Sequence, residues 1–180
     1  MRRIVLVLTV LLCIGCAGHG HQYYCEEEAM SHSRHQLMEK NDVIETINQL
    51  FIATDQKDWE RVAGLFAPEV WFDMTSLSGG SPATLSPRQI VAVWDKGLKQ
   101  IKAVHHQAGN YLVTVRGSDA DAFCYGIATH YLPTKSGRNV RTFVGSYDFH
   151  LVKKDGVWWI SAFKFNLKYL DGNKDLENDV

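Results

Sequence analysis

"NYLVTVRGSDADAFCYGIATHYL", residues 110–132, reads as two β-strands joined by a tight turn at "SDAD". Tyr111, Val113 and Val115 alternate along the first strand. On the second, one parity carries Ala122, Cys124, Gly126 and Ala128, and the other Phe123, Tyr125, Ile127 and Tyr131. Alternate side chains face opposite sides of a sheet, so one face of the second strand is built of small residues. That leaves room for a packed helix or for a ligand cavity, and small residues alone do not choose between them. Downstream, the loop "PTKSGRN" leads to "VRTFVGSYDFHLVKK", and the turn "KDG" leads to "VWWISAFKFNLKYL". Long strands joined by short Gly/Asp/Asn turns make an antiparallel meander.

Upstream of the meander the period changes. Val43, Ile44, Ile47, Leu50 and Phe51 recur at helical spacing as one apolar stripe. Asp58 is a good N-cap for a second helix with Trp59, Val62, Ala63 and Phe66 on one face, closed by Pro68. "EVWFDM" is a first short strand, followed by the loop "SLSGGSPATLS". Ser86, Pro87 and Gln89 open a third helix, running to about Leu98, with a capping box and a proline at the first helical position. Helices gathered at one end of the chain and strands at the other define an α+β fold.

Two places in this pattern hold polar groups that packing does not require. Continuing the first stripe from Phe51 lands on Thr54 and Asp55, so the apolar face ends in a carboxylate. Asp55 either points toward the sheet or breaks its own helix and caps the next one. In "AVHHQAGNY", residues 103–111, His105 and His106 must face opposite sides of a strand. Gly109-Asn110 is a plausible bulge, which would switch the faces before Tyr111.

The ends of the chain are of a different kind. "MRR", the apolar "IVLVLTVLL" and the small-residue "CIGC" read as a secretory signal, residues 1–15, shorter than the roughly 20 apolar residues a membrane span requires. Ile14-Gly15-Cys16 resembles the end of a bacterial lipobox, with Cys13 in place of the usual leucine; it implies lipidation of Cys16. Ala17 after that cysteine is similar to lipoproteins sent to the outer membrane, so the expected location is the bacterial cell envelope, facing the periplasm. Loss of Arg2 and Arg3 with the signal leaves 17 of the 19 basic residues against 20 acidic ones, no electrostatic footprint for nucleic acid. Residues 16–40 are polar and His-rich and read as a flexible tether. His19, His21, Cys25, His32 and His35 lie there, but their spacing fits no closed metal site, and no metal is expected. A single Cys25–Cys124 bridge is feasible in an oxidising envelope. The tail "DGNKDLENDV" looks frayed, with residues 173–180 expected to be disordered.

A helix ending in "FIATDQKDWERVAGLFAPEV", then "HHQAGN", then the "KKDGVWWI" hairpin, resembles the SnoaL-like branch of the nuclear transport factor 2-like superfamily. Scytalone dehydratase and lindane dehydrochlorinase belong to that branch, and the resemblance covers a domain at residues 41–172. It implies a curved antiparallel sheet wrapped on the N-terminal helices as a cone with an apolar pocket. It also implies that Asp55 and His106 match the family's catalytic aspartate and histidine, with His105 as a solvated neighbour. A carboxylate accepting from one ring nitrogen fixes the tautomer and stabilises the imidazolium; the other nitrogen is then free to take a proton. By the same resemblance Thr54 and Met74 fall near two pocket tyrosines of scytalone dehydratase, Gly126 near its second pocket histidine, and Asp148 near a pocket amide. Cys124 and Gly126 would contribute the small-residue wall. With those accessory groups replaced, the resemblance does not extend to scytalone as substrate.

Three readings follow. The first is a cofactor-free lyase or isomerase acting on a small apolar cyclic molecule, with His106 as general base and Asp55 orienting it. The second is a lipid-anchored binding protein that uses the same pocket without turnover. The third is an interaction module forming a homo-oligomer through the outer sheet face. Retention of both Asp55 and His106 favours the first, since binding alone needs neither.

Overall fold

The computed structural model describes residues 17–180, with side chains from Glu27 onward except residues 28 and 29. The signal segment, Cys16 and the side chains of His19, His21 and Cys25 lie outside the described residues. The chain divides into two compact units, the first ending at Gln36 and the second running Leu37–Val180.

Helix α1 spans Ala17–Gln56. The expected flexible tether is therefore helical: after Gly20 it contains neither glycine nor proline, and its Glu, Ala, Met, Gln and Lys residues lose little freedom in a helix. The second unit also begins earlier than residue 41. Glu39, 8% exposed, accepts hydrogen bonds from Lys153 Nζ at 2.6 and 2.7 Å and from the Trp158 indole at 3.0 Å. Beyond it the stripe Val43, Ile47, Leu50, Phe51 is buried as its period demands. No described helix is long and apolar enough to cross a membrane.

Asp58 caps α2 (Trp59–Gly64), accepting from the Arg61 amide at 3.1 Å. Pro68 does not close that helix, which ends at Gly64. It lies inside strand β1 (Phe66–Asp73), where the ladder to its neighbour shifts register between Phe66 and Trp71, so its missing N–H interrupts no regular pairing. The segment expected as a loop holds a single turn, α3 (Thr75–Ser78), and a short strand, β2 (Ala83–Leu85). Helix α4 (Pro87–Leu98) opens with the expected capping box of Ser86 and Gln89.

Strands β3 (Ala103–Arg116), β4 (Asp119–Tyr131), β5 (Val140–Lys154) and β6 (Val157–Gly172) form the meander, and the whole curved sheet is ordered β2-β1-β6-β5-β4-β3. The sheet is not purely antiparallel, because β1 runs parallel to β6. The intervening chain supplies the long crossover that a parallel pair requires. In β3 the register shifts between Gly109 and Leu112, and Asn110 has φ 57°. The bulge carries His106 and Ala108 before it, and Tyr111 and Val113 after it, to the same face. The tail is ordered as well: Asn173 and Leu176 are buried, and a 3₁₀ turn covers Leu176–Asn178. One buried apolar anchor, Leu176, packing with Leu98, Ile101 and Val104, suffices to dock a segment whose composition is mostly polar.

Candidate active site

The face of the sheet that packs on α1 and α4 encloses a cavity of about 450 Å³. Its wall is aromatic. Phe72 stacks on Phe163 at 5.3 Å between centroids, Trp94 meets Phe163 edge-on at 5.5 Å, and Tyr147 lies 4.9 Å from Phe165. Such a wall takes apolar molecules of modest size. Polar groups enter it from α1, β3, β4, β5 and the tail.

Asp55 occupies the last turn of α1. Since Asp58 does the capping, the Asp55 carboxylate is left to reach β3. One oxygen accepts the His106 amide at 2.9 Å and the other meets His106 Nδ1 at 2.6 Å. An ionised carboxylate offers only lone pairs to these groups, so Nδ1 carries a proton, and in the neutral ring Nε2 then presents a lone pair. Among the described residues His106 Nε2 has no hydrogen-bond partner, and His106 lines the cavity. Phe51 stacks on the imidazole at 5.1 Å, which together with the two-point carboxylate contact fixes the ring plane. Its twin His105 is 76% exposed and 3.9 Å from Asp55.

A second histidine lines the cavity, and the sequence reading missed it. His130 continues the small-residue parity of β4 by one step beyond Ala128. Across the β3–β4 ladder His106 pairs with Ala128 and Val104 with His130, making the two histidines diagonal neighbours on one face. Arg141 Nη2 donates to His130 Nδ1 at 3.3 Å, and Arg141 is itself held by Glu177, with Nη1 to Oε2 at 2.8 Å. Burial, reinforced by the Arg141 charge and by His106, pulls the His130 pKa down to about 4. Burial pushes Glu177 up, but its bonds to Arg141 outweigh that and hold it below the ordinary carboxylate range. Tyr147 projects into the same space; burial raises its phenol above the usual value, so the hydroxyl stays protonated.

Of the other expected pocket residues, Thr54 and Met74 line the cavity. Cys124, Gly126 and Asp148 do not. Cys124 is a fully buried free thiol, pushed by desolvation up to about 12, and it packs in the core. Gly126 makes room for a side chain of this protein: a Cβ there would lie 2.3 Å from the Tyr147 ring. Asp148 is on the outer face, bonded to Asn166 Nδ2 at 2.7 Å. A one-residue slip on a strand exchanges the faces, and Tyr147 holds the inward position.

A curved sheet closed by helices over an aromatic cavity, with ionisable groups at its polar end, is a site of the size and lining that takes a small apolar molecule. The model of the SnoaL-like domain matches residues 35–164, and the chain belongs to that family. No functionally curated protein matches the sequence. Among solved structures it is similar to the Kfla4162 protein of Kribbella flavida, at 22% identity and a TM-score of 0.70 over 73% of this chain and 91% of that one. It is also similar to a Novosphingobium aromaticivorans protein provisionally named scytalone dehydratase, with 17% identity, TM-score 0.67, and 76% and 89% of the two chains covered. A third is hexachlorocyclohexane dehydrochlorinase LinA-type3 of Novosphingobium barchaimii, with 13% identity, TM-score 0.64, and 77% and 92% covered. At these identities the likeness is one of fold.

Proposed function

We propose that this chain is a cell-envelope lipoprotein, anchored through Cys16, whose SnoaL-like domain moves a proton on a small apolar cyclic molecule without a cofactor. The observation that carries the reading is the two-point contact of Asp55 with His106, which leaves one imidazole lone pair facing an aromatic cavity. His106 Nε2 removes a proton from carbon next to a carbonyl. Asp55 stabilises the imidazolium that results. The charge that develops on the carbonyl oxygen is met by donors on the same wall, His130 and the Tyr147 hydroxyl. Expulsion of a leaving group from the neighbouring carbon makes the reaction a lyase; return of the proton to a different carbon makes it an isomerase. The dehydratase and dehydrochlorinase among the similar structures carry out eliminations by name, which is consistent with the first course.

A receptacle without turnover would use the aromatic wall and leave the Asp55–His106 pair idle. A homo-oligomer through the outer sheet face is a further part of the proposal, supported by Leu112, Tyr125, Ile127 and Tyr169, which are 70%, 46%, 41% and 57% exposed there.

The test is deuterium uptake. Protein purified from its native envelope is screened by mass spectrometry for a retained molecule. That molecule and a panel of monocyclic and fused-ring ketones are then incubated in D₂O with parent and His106→Gln protein. Label entering the acidic C–H position with the parent and not with the variant supports the proposal. Tight binding of a ligand without any label entering would hand the cavity to the receptacle reading.

A further inference from the structure

His106 and His130 are chemically identical side chains on one face of one ladder, yet their partners force them into complementary forms. A guanidinium has only donors. Because Arg141 Nη2 points at His130 Nδ1 at 3.3 Å, that nitrogen must offer a lone pair, and the proton of the neutral ring then sits on Nε2. His130 Nε2 has no hydrogen-bond partner among the described residues, and the ring lines the cavity. We infer that Arg141, gripped by Glu177 of the C-terminal segment, is a positioning residue that locks His130 as its Nε2–H tautomer and so gives the cavity a proton donor beside the His106 lone pair.

The grip on Arg141 is built to hold it in place. Both Nη atoms meet Glu177, Nη1 also reaches the Lys174 carbonyl at 3.4 Å, and the guanidinium lies 5.2 Å from the Phe143 ring centre. Its Nε is buried with no partner among the described residues, so the aim of the side chain depends on the Nη contacts. Glu177 in turn is fixed by its neighbours: Leu176 is fully buried, and Asn173 Nδ2 bonds the Arg138 carbonyl and Asp179, each at 3.0 Å. With its charge already matched by Glu177, Arg141 is not the group that would receive an anionic substrate. The charged and titratable groups around His130 are Arg141, Glu177, His106 and Asp55; Arg141 alone among them bonds its ring. The catalytic consequence rests on the proton-transfer reading of the cavity, but the tautomer does not.

The experiment is two-bond ¹H–¹⁵N correlation NMR on the full chain labelled at histidine nitrogen. In the parent, His130 is expected to show a protonated Nε2 and a bare Nδ1, unchanged down to about pH 5.5. In Arg141→Met, His130 should become a mixture of tautomers and titrate at least about one pH unit higher, as expected once an adjacent like charge is lost. Glu177→Gln, which loosens Arg141 without deleting it, should move the same signals in the same direction by less. A parent His130 protonated on Nδ1 overturns the inference, and so does an unaltered tautomer in folded Arg141→Met protein. The parent spectrum decides even where Arg141→Met does not fold. Turnover plays no part in this readout: an inert cavity would end the proposed reaction and leave the tautomer standing, while an Nδ1–H ring would overturn the tautomer and leave the Asp55–His106 base and the Tyr147 donor of the proposed reaction in place.

Discussion

His106 and His130 lie one strand and two residues apart in register, face the same cavity, and are held by partners of opposite charge. A carboxylate on Nδ1 makes His106 a lone-pair donor at Nε2 and prepares it to become an imidazolium. A guanidinium on Nδ1 makes His130 an N–H donor at Nε2, and burial, reinforced by that charge, keeps the ring neutral with its pKa drawn down to about 4. Residue identity therefore says little about what a buried histidine does. The charge of the group that takes its other nitrogen decides it.

The largest effect that bears on this contrast is on turnover. His106→Gln keeps a polar side chain of similar reach but removes the base. Deuterium incorporation, or turnover once a substrate is found, is expected to fall by at least ~10²-fold, the scale of a positioned acid–base group. Equal rates in folded parent and variant would mean that the Asp55 contact is structural and that the two histidines do not differ in role. Asp55→Asn should lower the same rate, because the charge that favours the imidazolium is gone.

Next in size is stability against pH. The folded-state pKa of His130 lies below the ordinary value, so between about 6.5 and about 4 the unfolded chain binds the proton more readily. The neutral ring thus contributes stability that is full above pH 6.5 and is lost as pH falls through about 4. For a mostly buried group the loss is on the order of 2–3 kcal/mol. Urea unfolding at pH 7 and pH 4.5 would measure it, and His130→Gln should flatten that dependence. A parent whose stability is level across this window would show that His130 titrates normally and that burial and the guanidinium together do not hold it neutral.

A matched substitution sharpens the comparison further. Glutamine still carries an N–H donor and a carbonyl that can accept from Arg141, so His130→Gln should cost turnover less than about tenfold. His130→Leu, with no donor, should cost roughly 10²-fold, the scale for removing one preorganised hydrogen bond. If His130→Gln were as damaging as His106→Gln, His130 would be moving a proton rather than presenting one.

How much of this was legible depends on how local each signal is. The α1 stripe, the Ser86 capping box and the Gly109-Asn110 bulge are each set by a few consecutive residues, and each stands where the pattern puts it. The Asp55–His106 approach needed the family resemblance, because no spacing rule links a helix end to a strand 51 residues later. His130 was within reach, one alternation beyond Ala128 on a parity already singled out as small and inward. Arg141 and Glu177 were not: the pair spans 36 residues and depends on a tail whose single buried apolar residue, Leu176, gave too little signal of docking. Asp148 was misplaced because strand faces alternate, and a one-residue offset in matching exchanges Tyr147 for its neighbour. Parallel pairing of β1 with β6 leaves no local mark at all.

The smallest expected effect concerns the neighbour of His106. His105 shares its sequence surroundings and lies near the same carboxylate, at 3.9 Å, but is 76% exposed on the other side of the strand. Water screens a contact of that kind, and exposed ion pairs contribute little. His105→Gln should therefore leave deuterium incorporation within about twofold of the parent, as surface substitutions away from packed or bonded groups generally do little. A loss approaching that of His106→Gln would show that Asp55 works through both imidazoles. The lone pair at His106 Nε2 would then no longer suffice to explain the site. An unchanged rate isolates one member of the "HH" pair, since the two differ in sequence by a single position and in environment by the whole thickness of the sheet.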